Sequence, residues 1–428
     1  MASEWKRTSL REAGVTLIDC DHRTPPAADS GYPYVAIPQL KEGRLALADA
    51  RCISPEHFAD WTRKAKPQHH DVILSRRCNP GETAFVPAGI ECALGQNLVL
   101  LRSDGTKVFP PFLRWLLKGP DWWEQVGTFI NVGAIFNSLK CADIPHFKMP
   151  LPPLAEQKAI ASILGVLDDK IELNRRMNAT LEGMARALFQ SWFVDFDPVR
   201  AKLDGRKPEG MDKATAALFP DAFEESSLGP VPKGWKAGTL VEGFNLTMGQ
   251  SPPGDTYNEE ANGLPFYQGR TDFGFRFPTR RIYCSAPTRY AKPGDTLVSV
   301  RAPVGDINMA NEECCIGRGV AAVRHNSGST SFTYHSMANL YPDFARFEAE
   351  GTVFGSINKD SFEKLRFIIP PTDIVFAYER QAGPLDEQIR TLDSQSRTLA
   401  TLRDTLLPKL LSGELSVAHS TIIKGDKL

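Results

Sequence analysis

Much that would point to an enzyme or a membrane protein is missing from this chain of 428 residues. No apolar run approaches the ~18 residues of a membrane-spanning helix, so no membrane association is expected. The opening Met-Ala-Ser-Glu-Trp-Lys-Arg-Thr lacks the apolar centre of a signal peptide. The 8 cysteines form no Cys-x-x-Cys pair, and Cys314 and Cys315 are neighbours that cannot easily bridge each other. Reduced thiols in a cytoplasmic protein are therefore expected. No excess of one charge is present either: 50 Lys+Arg stand against 51 Asp+Glu. That balance argues against a chain coated in nucleic acid but leaves room for a local basic footprint.

The signatures of catalysis are also absent. Gly317-Arg318-Gly319 runs into Val-Ala-Ala-Val, a strand rather than a helix start, so it is no cofactor loop. Ser251-Pro252-Pro253-Gly254 reads as a turn without the acceptor group of an amino-methylating loop. Asp168-Asp169-Lys170 lies inside a long helix, and its counterpart, Asp386-Glu387-Gln388, loses the lysine; both read as a solvated face. His69-His70, read as strand, would point its two rings to opposite sides, a poor chelating pair. No Gly-x-Ser-x-Gly motif occurs. No catalytic, cofactor-binding or metal-binding residue is assigned.

What is present is length and repetition. Hydrophobic residues make up 42% and charged residues 24%, as in an ordinary soluble protein with room for two or three domains. The stretch 151–193 opens with Pro152-Pro153 and then has no proline until Pro198. Its apolar residues return in steps of three and four, which predicts one long helix. About 40 residues at ~1.5 Å each make a rod of roughly 60 Å. A single apolar seam on so long a rod needs a partner.

A shift of 218 residues supplies one, setting Pro370-Pro371 on Pro152-Pro153 (370 − 152) and Leu385-Asp386-Glu387-Gln388-Ile389 on Leu167-Asp168-Asp169-Lys170-Ile171. The run Gly-Ala-Ile-Phe-Asn-Ser-Leu at 133–139 lies over Gly-Thr-Val-Phe-Gly-Ser-Ile at 351–357. The chain is a tandem duplication with two long helices. The predicted seam is Ile160, Leu164, Leu167, Ile171, Asn174, Asn178, Leu181 and Leu188 on the first, and Leu385, Ile389, Leu392, Ser396, Leu399 and Leu406 on the second. The helices are expected to pair antiparallel, with Asn174, Asn178 and Ser396 forming a polar layer that fixes register. Pro384 and Pro408 should each kink or fray the second helix.

In chain order, 1–150 reads as a globular α+β part, with strands near 34–37, 72–75 and 98–101 and a helix over 112–126, broken near Gly119-Pro120. The first long helix occupies 151–198. A connector rich in Pro, Gly and charge follows at 199–233, with a short helix at 214–218. The second globular part takes 234–369, the second long helix 370–415 and a tail 416–428.

Two basic clusters stand out. Residues 270–301 carry Arg270, Arg276, Arg280, Arg281, Arg289, Lys292 and Arg301 against Asp272 and Asp295; a weaker cluster spans Arg63 to Arg77. Arginine on a loop beyond a strand can fork onto phosphate or guanine, and glutamine or asparagine can read adenine. The candidates are Lys41, Arg44, Arg76, Arg77, Gln96 and Asn97 in the first half and Gln268, Arg270, Arg301 and Arg318 in the second. Structural arginines paired with carboxylates are the competing reading.

Two related but unequal globular parts on matched helices suggest a caliper reading two different DNA half-sites. The chain resembles the specificity subunit of type I restriction-modification enzymes. The resemblance rests on Leu-Pro-Pro-Leu-Ala-Glu-Gln at 151–157, Phe-Gln-Ser-Trp-Phe-Val-Asp-Phe-Asp-Pro at 189–198, Leu-Gly-Pro-Val-Pro-Lys-Gly-Trp at 228–235, Arg-Ala-Pro-Val-Gly-Asp at 301–306 and Leu-Leu-Ser-Gly-Glu-Leu at 410–415. Pro370-Pro371 departs from it, being followed by Thr-Asp-Ile-Val. The resemblance implies two target recognition domains and two spacer helices, in a non-catalytic subunit that binds double-stranded DNA. It implies two modification subunits as partners, with S-adenosylmethionine, and restriction subunits using ATP and magnesium; no cofactor is expected in this chain. The alternative is a coiled-coil scaffold that binds partners without reading DNA.

Overall fold

Val72-Ile73-Leu74-Ser75 is buried at all four positions, as a strand covered on both faces must be. In the computed structural model, which describes residues 5–133, 135–349 and 355–417, it sits inside a four-stranded antiparallel sheet. The order is Val15–Asp19, Leu98–Ser103, Val72–Ser75, Thr83–Phe85. Alternation along the strands serves two cores. Val72, Leu74, Val99 and Leu101 face one cluster with Phe112, Trp115 and Trp122, while Ile73, Leu98 and Leu100 face another with Val35 and Leu94. A second small sheet sets Tyr32–Val35 parallel to Ala93–Leu94 and antiparallel to Cys52–Ile53.

The chain packs into two units, one of Met1–Leu173 with Gln395–Leu428 and one of Asn174–Ser394. The second unit repeats the four-stranded sheet of the first, strand for strand. Its sheet runs Phe244–Met248, Val320–His325, Thr296–Ser299, Ile307–Met309. Its smaller sheet again sets a parallel pair, Leu264–Tyr267 with Cys314–Ile316, among antiparallel neighbours. Matched details follow the same register. Arg102 forks onto Asp71 at 2.7 and 2.8 Å, and Arg324 reaches Asp295 at 2.5 Å. Gly81 and Gly305 both take positive φ, where an added Cβ would collide with Trp123 in one unit and Phe344 in the other.

The long helices are Leu154–Phe193 and Thr372–Leu411. Each unit contains one half of each, and in each the halves run antiparallel. In the first unit Ile160 and Leu164 share a core with Leu407, Leu410 and Leu411. In the second, Asn174 donates to the Leu392 carbonyl at 3.4 Å and Tyr378 Oη to the Ala185 carbonyl at 3.1 Å. The second helix continues through Pro384 and Pro408.

The expected seam is partly shifted. Ile160, Leu164, Ile171, Asn174, Asn178, Ile389 and Leu392 are buried, but Leu167, Leu181, Leu188, Leu385, Ser396, Leu399 and Leu406 are only half-buried. Each half-helix faces a globular part as well as its partner helix, and that second load draws the buried band round to Asp168 and Asp386. Asp168, 3% exposed, is therefore not on a solvated face as the sequence suggested.

The helix-start motif is explained by Gln157, which is fully buried. Its Oε1 accepts from Phe109 N at 2.7 Å, and its Nε2 donates to the Lys107 and Pro152 carbonyls at 2.8 Å. This fastens the long helix to the start of Pro110–Leu116. In the second copy Val375 stands at that place, and Glu379, one turn later, accepts from Ser329 Oγ and from Ser331 N instead. The helix read over 112–126 is two, Pro110–Leu116 and Pro120–Phe129, divided at Gly119. The connector is ordered: Asp197–Leu203, Lys213–Leu218 and a hairpin, with Val199 and Phe219 buried in the second unit's core.

Candidate nucleic-acid interface

In the second unit, loops leaving four strands converge on an open groove of about 560 Å³. Ser251 follows Phe244–Met248, Gln268 and Arg270 follow Leu264–Tyr267, Arg301 follows Thr296–Ser299, and Arg318 caps the turn before Val320–His325. The turn is held close: Gly317 N donates to the Tyr267 carbonyl at 2.8 Å, and a Cβ on Gly319 would stand 2.2 Å from the Gln268 carbonyl oxygen. Glycine there lets two reading loops lie side by side. The four second-half candidates of the sequence thus line one groove.

Their charges are differently committed. Arg270 faces Asp306 at 3.0 Å while remaining 64% exposed. Arg318 donates from Nε to Ser251 Oγ at 3.3 Å, and Arg281 holds Asp272 at 2.7 Å. The exposed Arg301 side chain has no partner among the described residues; its backbone bridges Ser356. The rest of the basic stretch is largely structural. Arg280 forks onto Glu312 at 2.6 and 2.9 Å. Arg276 is 1% exposed, bound to Glu182 and, at 2.8 Å, to Asp386.

The first unit has the matching groove, about 450 Å³, lined by Thr24, Tyr34, Ala36, Gln39, Gln96 and Asn97 among others. Gly95 N donates to the Val35 carbonyl at 2.6 Å, as Gly317 does to Tyr267. Gln96 Nε2 donates to Thr24 Oγ1 at 3.0 Å. Asn97 takes a left-handed φ of 69°, which asparagine tolerates, and its carbonyl accepts from Arg76 N at 2.8 Å. This groove has a single guanidinium, Arg51, among its amides and hydroxyls, where the second has four, Arg270, Arg281, Arg301 and Arg318.

The other first-half candidates lie elsewhere. Arg44 is a correction: its Nη1 meets Glu172 at 2.5 Å and its Nη2 meets Asp168 at 2.8 Å, with the side chain 16% exposed. A guanidinium spent on two helix carboxylates is not free to read a base. Arg76 is half-buried, with Nη1 at 3.4 Å from the Leu139 carbonyl. Lys41 is exposed on a short hairpin, and Arg77 is exposed with its backbone bridged to Ser138 just as Arg301 is to Ser356. Neither Lys41 nor Arg77 lines the groove. Ala134 and residues 350–354, within the repeated 133–139 and 351–357 runs, lie outside the described residues.

The sequence reading missed Thr24 and Ser251. The signal was there: Thr24-Pro25-Pro26 and Ser251-Pro252-Pro253 are the same hydroxyl-Pro-Pro motif in the two copies. The histidine pair also differs from expectation. His70 sits in a turn at φ 73°, so its ring stacks on His69 at 3.6 Å instead of facing away. Among the described residues Asp19, Cys20 and His22 come close enough to share a cation. The Cys20 thiol instead donates to the Gly95 carbonyl at 3.3 Å, and burial, aided by Asp19, pushes it up to about 11, keeping it a neutral thiol. No helix among the described residues is long and apolar enough to cross a membrane.

Comparison with known proteins finds the same duplication of the chain. The family model for the type I restriction modification DNA specificity domain matches twice, over residues 21–183 and 232–394. The chain is 30% identical to the putative type I restriction enzyme MjaX specificity subunit of Methanocaldococcus jannaschii, over 90% of this chain and 88% of that protein. It is 25% identical to the type I restriction enzyme HindI specificity subunit of Haemophilus influenzae, over 81% and 86% of the two chains. The crystal structure of the type I restriction-modification system S subunit from M. genitalium shares the fold, with a TM-score of 0.54 at 17% identity over 95% of this chain and 96% of that one.

Proposed function

Because this chain belongs to the family of type I restriction-modification DNA specificity subunits, we propose that its two grooves are the readers of a bipartite, asymmetric DNA target. It is the DNA-recognition component of a type I complex, with one recognition domain in each copy of the repeat. The observation that carries the residue-level reading is the doubled groove: three matching loops, those of Thr24 and Ser251, of Ala36 and Gln268, and of Gln96 and Arg318, lined by different side chains. Half-sites of different sequence follow from that difference. The family match covers both copies, which sets aside the scaffold reading.

The chemistry of reading divides in two. Arg270 and Arg301, exposed at the groove, suit phosphate contacts that position the duplex and make affinity fall steeply with salt. Gln268, Arg318, Gln96 and Asn97, nearer the loop crossings, suit base edges. Within each unit the helices are fastened to the globular part, by Arg44–Asp168 and Gln157 in the first and by Arg276–Asp386 in the second, and in this reading the helices set the spacing between half-sites.

The chain itself acts without catalysis in this reading, in the cytoplasm, and holds no cofactor. Two modification subunits dock on it and bring S-adenosylmethionine; restriction subunits bring ATP and magnesium. Methylome sequencing of a host carrying the modification subunits, with and without this chain, tests the proposal. One bipartite motif should be methylated only when the chain is present. Methylation that is the same without it, or methyl transfer by the purified chain alone, overturns the reading.

A further inference from the structure

The two grooves hold one position filled in two ways. Gln96 and Arg318 follow equivalent glycines, Gly95 and Gly317, and both are exposed. Each leans on the hydroxyl that precedes a Pro-Pro pair: Gln96 Nε2 on Thr24 Oγ1 at 3.0 Å, Arg318 Nε on Ser251 Oγ at 3.3 Å. We propose that these two residues read the corresponding base pair of the two half-sites, an A·T pair by Gln96 and a G·C pair by Arg318. The inference rests on the DNA-reading function above and assigns base chemistry to it.

The hydroxyl prop decides which atoms remain for the base. With Nε held by Ser251, Arg318 keeps both terminal Nη groups, a two-donor fork. Guanine offers two acceptors, O6 and N7, on its major-groove edge and matches that fork; adenine offers one acceptor and one donor and does not. Gln96 gives one Nε2 hydrogen to Thr24 and keeps the other, together with Oε1. That leaves one donor and one acceptor, the complement of adenine N7 and N6 and a mismatch for guanine. The prop also removes rotamer freedom before DNA arrives, so each side chain is presented in one orientation.

The test is a reciprocal swap in the full complex. Arg318→Gln and Gln96→Arg are each expressed with the modification subunits, and the methylated motif is read by methylome sequencing. Arg318→Gln should convert one G·C pair to A·T in one half-site only, and Gln96→Arg should convert one A·T pair to G·C in the other half. Arg318→Ala should leave that G·C position degenerate, losing roughly 5- to 150-fold discrimination. The inference is overturned if the swaps leave the motif unchanged, or if either one alters both halves. A wild-type chain that directs no motif at all defeats the underlying function, and a wild-type motif insensitive to both residues defeats this assignment alone.

Discussion

Arg276 donates to Asp386 at 2.8 Å from a side chain that is 1% exposed, fastening a loop of the second globular part to the second long helix. Arg44 makes the same attachment to Asp168 in the first unit, also at 2.8 Å. The two carboxylates are 218 residues apart (386 − 168), the register of the duplication, so the latch occupies equivalent helix positions in the two copies. Asp168 also meets Arg403 at 2.8 Å and Arg114 at 3.1 Å. Burial pushes its carboxyl up, but Arg44 and Arg114 outweigh that and hold it below the usual carboxylate range. Arg276 in turn stacks on the Tyr334 ring at 3.8 Å. Such pairs add little net stability against apolar replacements, but they leave a buried charge if one partner is lost.

That asymmetry separates structural arginines from reading ones. Arg276→Ala should cost about 3–5 kcal/mol of unfolding free energy, since Asp386 stays buried without its partner. Arg301→Ala should change stability by no more than about 0.5 kcal/mol, its side chain being exposed, yet weaken DNA binding. Urea denaturation and duplex binding of both variants check the pair of outcomes. Equal stability losses would refute the division.

The duplication, the long helices and the buried central strands were legible because each is written in a short-range period or in self-comparison. Leu98 to Leu101 is apolar at every step and forms the strand it suggests. What could not be read was partnership across the chain. Arg44 looks like any loop arginine, and its carbonyl partner Asp168 lies 124 residues on. The heptad pattern placed only part of each seam and not the side on which a globular part would cover the helices, so Asp168 passed for a surface residue. Thr24 and Ser251 are ordinary hydroxyls until the fold places Gln96 and Arg318 beside them.

A pH dependence follows from the second unit's buried histidines. Burial holds His335 down at about 4, and His325 likewise, against an ordinary 6.5. Below pH 6.5 the unfolded chain takes up protons that the folded chain refuses until about pH 4. The unfolded state therefore binds more protons across that window, and stability falls as pH drops through it. For His335 the loss is on the order of 2–3 kcal/mol between pH 6.5 and 4. His335→Leu should flatten the decline and leave the His325 share. Urea midpoints at a series of pH values measure it, and an unchanged slope in the variant would count against the neutral, buried imidazole.

The polar layer of the paired helices yields the last prediction. Asn174 donates to the carbonyl of Leu392, its own counterpart 218 residues on, so equivalent positions of the two helices face one another there. Asn178 is 5% exposed, and its Oδ1 has no hydrogen-bond partner among the described residues. A buried acceptor left unmatched costs about 1–3 kcal/mol. Asn178→Leu should therefore raise the urea midpoint, while Asn174→Leu, which also removes a hydrogen bond, should raise it less. The gain has a cost in specificity, because a leucine seam packs acceptably in more than one register, whereas an asparagine that must reach one carbonyl does not. The double variant should accordingly be more stable yet direct methylation to targets of more than one spacer length. A lower midpoint for Asn178→Leu would mean that its oxygen is satisfied by water in solution and that the layer stabilises the pair instead of only aligning it.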